Sequence, residues 1–401
     1  MKKYYLIILL ILTLFFRLFR LGQPSAYVFD EVYHTFTAQE MAKGNPRAWE
    51  WWVTPPPGVA YEWTHPPLAK LAMAGSIRLL GDSSFAWRFP SVVFGTLSIA
   101  AVYFLGKKLF KNKHIALLAA AIFSLDGLQL TMSRVGMADS LLTLLILLAA
   151  LFFYQSKFRL TGIFLGLALA TKWSAILLYP IFGLLLLPQI IKNLKKINLL
   201  LRLVYSFLLI PLVIYFLCFI PFFMVGHTLA QWWELQRQMY YYHSHLNATH
   251  QYQSMAWQWP LLLRPVWFYV EYLKNSVANI YNLGNPAIFW GGLVALMYQF
   301  LKGPSLRSKA GPYRYWFLLI CYFTLFSPFI FSPRIMFLHH YLPALPFLCL
   351  IIAQVIYKHK LLTTYYLLLV ILLFLFFYPL NTAIPLPANL VKYWFWLPSW
   401  K

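Results

Sequence analysis

Apolar runs follow one another from the beginning of this chain to its end, and no soluble core could absorb them. They lie at Leu6–Phe16 and then near 90–105, 115–125, 138–154, 160–170, 174–188, 203–224, 286–301, 315–332, 341–357 and 361–379. A helix that crosses a bilayer needs about 20 apolar residues, so these runs make about eleven spans, with those near 115 and 160 short for a crossing. Only 11% of the 401 residues are charged and 61% are hydrophobic, against roughly 25% charged in a soluble domain. A soluble enzyme and a disordered chain are both excluded. The expected fold is an all-α polytopic membrane protein, a single domain over 1–401.

The charge is lopsided, with 33 Lys and Arg against 10 Asp and Glu and a net charge of +23. In a soluble protein that excess would point to nucleic acid. Here the basic residues cluster between apolar runs, and membrane lipids are the expected counter-charge, with no nucleic-acid partner. One set of loops holds Lys107, Lys108, Lys111 and Lys113, then Lys157 and Arg159, then Lys192, Lys195, Lys196 and Arg202. It continues with Lys302, Arg307, Lys309 and Arg314, and ends with Lys358 and Lys360; Lys2 and Lys3 fall on the same side. The positive-inside rule makes that side cytoplasmic, so an odd span count leaves the C-terminus external. The protein is expected in the cell membrane as a multi-pass chain. Leu6–Phe16 reads as a retained span, because Arg17 and Arg20 follow it rather than a small-residue cleavage site.

Two outer segments are long, 21–89 and 225–285, and both are rich in Trp, Tyr and Pro, as suits chain at a membrane interface. Within the first, residues 32–43 and the stretch from Pro66-Pro67 to Leu80 read as short juxtamembrane helices on the outer face.

The acidic residues are Asp30, Glu31, Glu40, Glu50, Glu62, Asp82, Asp126, Asp139, Glu234 and Glu271. None falls on a cytoplasmic loop, which points to carboxylate chemistry or cation handling on the outer face, the alternative being that acids are scarce and the outer loops the longest. Asp30-Glu31 is the one adjacent pair, flanked by apolar residues on both sides. It could cap the helix that follows. A carboxylate partly desolvated beside a membrane is also more basic, which suits a general base. Isolated cations stand amid apolar sequence on the same face: Arg88, Arg134, Lys172 and Arg334. Such cations need partners, either carboxylates and head groups or, as a set, a lipid phosphate. His65, and His340 with Tyr341, are candidate substrate contacts or interfacial polar tips.

Other signals are weak. Asn247-Ala248-Thr249 fits a glycosylation sequon, and His243, His245 and His250 lack metal-ligand spacing. Cys218, Cys321 and Cys349 sit in apolar runs without a CxxC pattern and read as buried thiols. Nucleotide-loop and zinc-protease motifs are missing, so an energy-driven transporter subunit, a nucleotide-dependent enzyme and a zinc protease have no positive support.

Several segments together resemble the protein O-mannosyltransferases, membrane glycosyltransferases of the GT-C class. They are Phe29-Asp30-Glu31, His65-Pro66-Pro67-Leu68-Ala69-Lys70, Arg88-Phe89-Pro90, Ser133-Arg134 with Asp139, and Lys172-Trp173. In the second half they are Pro260 to Pro265, Gly284-Asn285-Pro286, His340 to Pro346, and Trp396 to Trp400. The resemblance spans the chain. It implies an inverting transfer of mannose from a polyprenyl-phosphate donor to Ser or Thr of a protein acceptor at the outer face, without a metal. In that reading Asp30 is the base and Glu31 orients it or the acceptor. Arg88, Arg134, Lys172 and Arg334 face the donor phosphate, and His65, His340 and Tyr341 touch substrate. The segment 225–285 is too short for the extra β-trefoil domain of eukaryotic members, which implies a prokaryotic type. Two alternatives remain: transfer of another sugar, such as aminoarabinose, to a lipid or glycan, and, in a different class, a lipid flippase or transporter.

Overall fold

The computed structural model describes residues 4–193, 196–304 and 310–401. Lys2, Lys3, Lys195, Arg307 and Lys309, counted above among the basic loops, lie outside the described residues. Helices run in the order α1 (Tyr4–Leu18), α2 (Glu31–Ala42), α3 (Leu68–Leu80), α4 (Ser84–Phe110), α5 (Lys113–Ser124) and α6 (Gly127–Met132). Then come α7 (Asp139–Tyr154), α8 (Phe158–Leu169), α9 (Leu178–Lys192), α10 (Ile197–Val204), α11 (Ile210–Leu217), α12 (Ile220–Met224) and α13 (Leu229–His245). After a hairpin, α14 (Pro286–Lys302), α15 (Ala310–Thr324), α16 (Leu345–Ile356) and α17 (Lys360–Asn381) complete the set. Every apolar run of the sequence lies on helix. Five helical stretches among the described residues are long and apolar enough to cross a membrane alone: Ser84–Phe110, Trp173–Lys192, Ile197–Met224, Gly311–Phe331 and Lys360–Asn381. The polytopic all-α reading therefore stands. The juxtamembrane helices expected at 32–43 and up to Leu80 are α2 and α3.

A single domain is expected, but the packing divides the chain into two compact units, each assembled from separated segments. The first comprises Met1–Arg17, Gly95–Met132 and Thr249–Lys401; the second comprises Leu18–Phe94 and Ser133–Ala248.

In the second unit, local chemistry explains the helix junctions. Pro211 has no N–H to continue the ladder, and the preceding turn, Tyr205–Leu209, widens to a π-turn. The glycines of Gly162-x-x-x-Gly166 let α8 lie against this stretch. A Cβ at Gly162 would sit 2.0 Å from the Ser206 carbonyl, and one at Gly166 2.9 Å from Pro211. Thr228 and Gln231 close a capping box at the start of α13.

In the first unit, Asn285 caps α14 with Pro286 at its first position. Asp126 accepts from the backbone N–H of Gln129 and of Asn285, both at 2.9 Å, which ties α6 to the start of α14. The segment 225–285, which the sequence leaves without regular structure, ends in an antiparallel hairpin. Val266–Tyr272 (β1) pairs with Ser276–Asn282 (β2), in register Val266 to Asn282, and Leu386–Pro387 (β3) joins the edge of β2. The C-terminal tail docks on this hairpin: Trp400 is fully buried and donates its indole N–H to the Leu262 carbonyl at 2.7 Å.

Candidate active site

The chemistry-bearing side chains of the second unit gather around the start of α2. Phe29 takes a left-handed backbone (φ +50°), and Asp30 follows at the N-cap position with φ −74° and ψ 5°. A capping side chain needs extended backbone; Asp30 lacks it and makes no capping bond. The capping alternative is therefore excluded.

Glu31 has the opposite fate. It is fully buried and accepts from Arg88 twice, Nε to Oε1 at 2.8 Å and a terminal nitrogen to Oε2 at 2.7 Å. The backbone N–H groups of Val28 and Gly136 also donate to it, both at 2.8 Å. Arg88 further donates to the carbonyls of Leu21 (3.2 Å), Pro24 (2.7 Å) and Ala26 (2.9 Å). All five guanidinium N–H groups are thus occupied. Of the two alternatives for Glu31, its burial and four donors favour orienting Asp30 over touching the acceptor, and for Arg88 the expectation is corrected, because it has no N–H left for a phosphate. Together they clamp the chain from Leu21 to Glu31, a buried ion pair whose remaining hydrogen-bonding capacity is satisfied. Gly136 is part of the clamp: a Cβ there would lie 2.5 Å from Thr35 Oγ1.

Asp30, half-buried, makes no carboxylate hydrogen bond among the described residues. Burial, then the charge of Glu62, push its carboxyl up to about 7, with Lys172 opposing and Asp139 adding to the rise. Lys172 itself donates to Asp139 at 3.0 Å; both side chains are buried.

Glu62 and Lys70 form the floor. Glu62 accepts from Thr64 Oγ1 (2.7 Å) and from the His65 N–H (2.8 Å). Lys70 lies 4.0 Å away and donates to the carbonyls of Glu62 and His65. Burial alone would raise the Glu62 carboxyl, but Lys70, His34 and these hydrogen bonds hold it below the usual range. Burial pushes the Lys70 ammonium down to about 8, against the pull of Glu62. Beside them three imidazoles stack: His34 on His65 at 6.0 Å and 10°, and His65 on His243 at 5.0 Å and 21°. Burial lowers His34 to about 4. Burial and the Lys172 charge also lower His65 far below its ordinary value, so both rings are neutral at pH 7. Nδ1 of each is buried and has no hydrogen-bond partner.

Arg134 donates to the carbonyls of Phe19 (2.8 Å) and Arg20 (3.4 Å), so it anchors the chain leaving α1. Arg334, His340 and Tyr341 belong to the first unit. Tyr341 is fully buried, with its hydroxyl 2.8 Å from that of Tyr322. This corrects its expected contact with substrate, because it is a core residue. His340 is half-buried and sets Nδ1 against the backbone of Phe337. Arg334 is half-exposed in the loop before it. Sequence reasoning passed over Glu62, Lys70, His34 and His243. The signal was there for two of them, since Glu62 and Lys70 flank His65 with Glu62 three residues before and Lys70 five after. No group of three His, Cys, Asp or Glu side chains among the described residues is placed to hold a metal ion.

Comparison with known proteins bears on this arrangement. The family described as dolichyl-phosphate-mannose-protein mannosyltransferase matches residues 7–227, and the C-terminal four-span region of protein-O-mannosyltransferase matches 228–400. A polyprenol-phosphate-mannose–protein mannosyltransferase of Mycolicibacterium smegmatis is 25% identical over 96% of this chain and 90% of its own. Its counterpart in Mycobacterium tuberculosis is 22% identical over 97% and 89%. Among solved structures, the Saccharomyces cerevisiae protein O-mannosyltransferase Pmt1–Pmt2 complex bound to the sugar donor superposes with a TM-score of 0.82. It has 15% identity and covers 100% of this chain and 92% of that one. ArnT of Cupriavidus metallidurans bound to undecaprenyl phosphate gives 0.60 at 13% identity, over 89% of this chain and 61% of its own. The fold is thus of GT-C type. The match runs from the first span to the C-terminal tail and takes in both carboxylates at the start of α2. The chain belongs to the dolichyl-phosphate-mannose–protein mannosyltransferase family of membrane glycosyltransferases.

Proposed function

We propose that this protein moves mannose from a polyprenyl-phosphate carrier to Ser or Thr hydroxyls of a protein acceptor at the external face of the cell membrane, inverting the anomeric centre. The observation that carries the reading is Asp30, a half-buried carboxylate with no hydrogen-bond partner among the described residues and a pKa of about 7. The names of the relatives along the whole chain support the donor and acceptor classes. The undecaprenyl phosphate bound to ArnT supports a polyprenyl phosphate in this fold. The basic-loop pattern supports a cytoplasmic N-terminus.

In the reaction the acceptor hydroxyl gives its proton to Asp30 as its oxygen bonds to the anomeric carbon. The bond from that carbon to the phosphate oxygen breaks on the opposite side, and the polyprenyl phosphate leaves with the electron pair. A general base of this kind contributes about 10²–10⁴-fold. Lys172, close enough to lower the Asp30 pKa, is the cation best placed for the developing phosphate charge, and Lys70 is the second. His65 and His34, neutral and each with an open Nδ1, suit sugar hydroxyls.

The transporter alternative falls with the family assignment. The lipid- or glycan-directed alternative has less support than protein transfer, because the relatives matched end to end are protein mannosyltransferases. The test is purified protein in nanodiscs with polyprenyl-phosphate-linked radiolabelled mannose and a Ser/Thr-rich peptide. Label in the peptide, lost in Asp30→Asn, is expected; label in lipid would overturn the acceptor assignment.

A further inference from the structure

The first unit carries an unassigned cleft of about 680 Å³, within the roughly 300–1,000 Å³ typical of ligand sites. It lies where α4 and α14 end, where α5 and α15 begin, and where α16 turns into α17. Lys302, Arg314 and Lys358 line it, and no carboxylate does. Among the described residues none of these three cations has an ion pair. The unit offers little compensation, because its only acidic residues are Asp126 and Glu271. Both Asp126 oxygens are taken by backbone N–H groups, and Glu271 accepts the Tyr269 hydroxyl. No carboxylate of the unit is therefore free to pair with these cations, which leaves the cleft open to an anion from outside the chain.

The rest of the cleft indicates what kind of anion. The Arg314 guanidinium lies 5.6 Å from the Phe110 ring, and the Lys302 ammonium 5.3 Å from that of Tyr298. Cations set against aromatic rings at the ends of spans are the arrangement of a membrane interface. The Gln354 side chain also lines the cleft, and its oxygen is buried without a partner. Its amide would accept from a head-group hydroxyl or, turned over, donate to a phosphate oxygen. Simple positive-inside placement would explain basic helix ends. It does not explain their convergence on one cleft with an open buried amide.

We propose that this cleft binds the phosphate of an anionic phospholipid with a hydroxylated head group, phosphatidylglycerol being the probe. Full-length protein is reconstituted in phosphatidylcholine nanodiscs with and without phosphatidylglycerol, and retained lipid is counted by native mass spectrometry after transfer to detergent. Each Lys or Arg near an anionic head group is worth about fivefold, so K302Q/R314Q/K358Q should lose retention on the order of a hundredfold. Lys302 and Lys358 are exposed and Arg314 gives up one contact with the Phe110 ring, so this variant is expected to melt within a few degrees of wild type in phosphatidylcholine alone. The charge-preserving K302R/R314K/K358R should keep the lipid. Wild-type retention in the neutral variant would overturn the proposal. So would full loss in the charge-preserving one, and so would equal stabilisation of wild type by inorganic phosphate, which would mark a free-phosphate site.

Discussion

Replacing Asp30 with Asn separates chemistry from stability, and the two should move in opposite directions. Folding shifts the Asp30 carboxyl from an ordinary 3.8 to about 7. A shift of roughly three units at 1.36 kcal/mol each gives a ceiling of about 4 kcal/mol. Partial solvent access reduces that to about 1–2 kcal/mol. The sign follows from proton counting: between pH 4 and 7 the folded protein holds a proton that the unfolded chain has released, so stability falls as pH rises through that window. Above pH 7 the wild type carries the full cost of an ionised Asp30, and Asn carries none. Asp30→Asn should therefore unfold at a higher temperature than wild type at pH 8, and the difference should vanish towards pH 4. Transfer by the variant should drop about 10²–10⁴-fold, the share of a general base. Wild-type kcat should rise about tenfold per pH unit below 7 and level off above it. Thermal unfolding in detergent and mannosyl transfer to peptide, both across pH, measure the two effects. A variant less stable than wild type at pH 8, or a wild-type profile flat from pH 5.5 to 8.5, would refute the reasoning.

Arg88→Lys keeps the charge but loses the fork to Glu31 and most of the carbonyl contacts, so it should cost about 3–5 kcal/mol, read as a lowered Tm with an unchanged donor KM in the folded fraction. Lys172→Met should raise the donor KM and move the acid limb of the pH profile to higher pH, whereas Glu62→Gln should move it to lower pH; the two opposite shifts are measured in one assay. Gly136→Ala sets a methyl group 2.5 Å from Thr35 Oγ1 and should cost about 1–3 kcal/mol, with partial recovery in the double variant Thr35→Ala/Gly136→Ala when both are melted together.

The spans were legible because a long apolar run has few other uses, and each one lies on helix. The hairpin was not, since Val-Trp-Phe-Tyr-Val at its start is apolar throughout instead of alternating, and aromatic chain of that kind also suits a membrane interface. The pair at Asp30-Glu31 was visible, but the division of labour within it was not. Glu31 is fixed by Arg88, 57 residues away, and by the Gly136 N–H, 105 residues away. The isolated cations correctly read as needing partners. Their partners turned out to be largely backbone carbonyls for Arg88 and Arg134, and a carbonyl acceptor leaves no trace in sequence. The stacked imidazoles come from positions 34, 65 and 243, and no local spacing connects them.

Two neighbouring carboxylates with opposite environments give the start of α2 the chemistry that the proposed reaction needs. Left alone, an Asp in front of a helix turns onto the free N–H groups of the first turn and becomes a cap, with its basicity lowered by the hydrogen bonds. Here the left-handed Phe29, a conformation that costs an L-residue about 1–2 kcal/mol, and the bridge-region backbone of Asp30 (φ −74°, ψ 5°) keep the carboxylate from making that capping bond. Such a conformation persists only when its surroundings over-determine it. The clamp does so: Glu31 holds the Val28 N–H just before Phe29, while Arg88 grips the carbonyls of Leu21, Pro24 and Ala26. The four hydrogen bonds on Glu31 thus hold the backbone in which Asp30 makes none, and a carboxylate with none, partly out of water beside Glu62, is the more basic of the two, as the proposed role of general base requires.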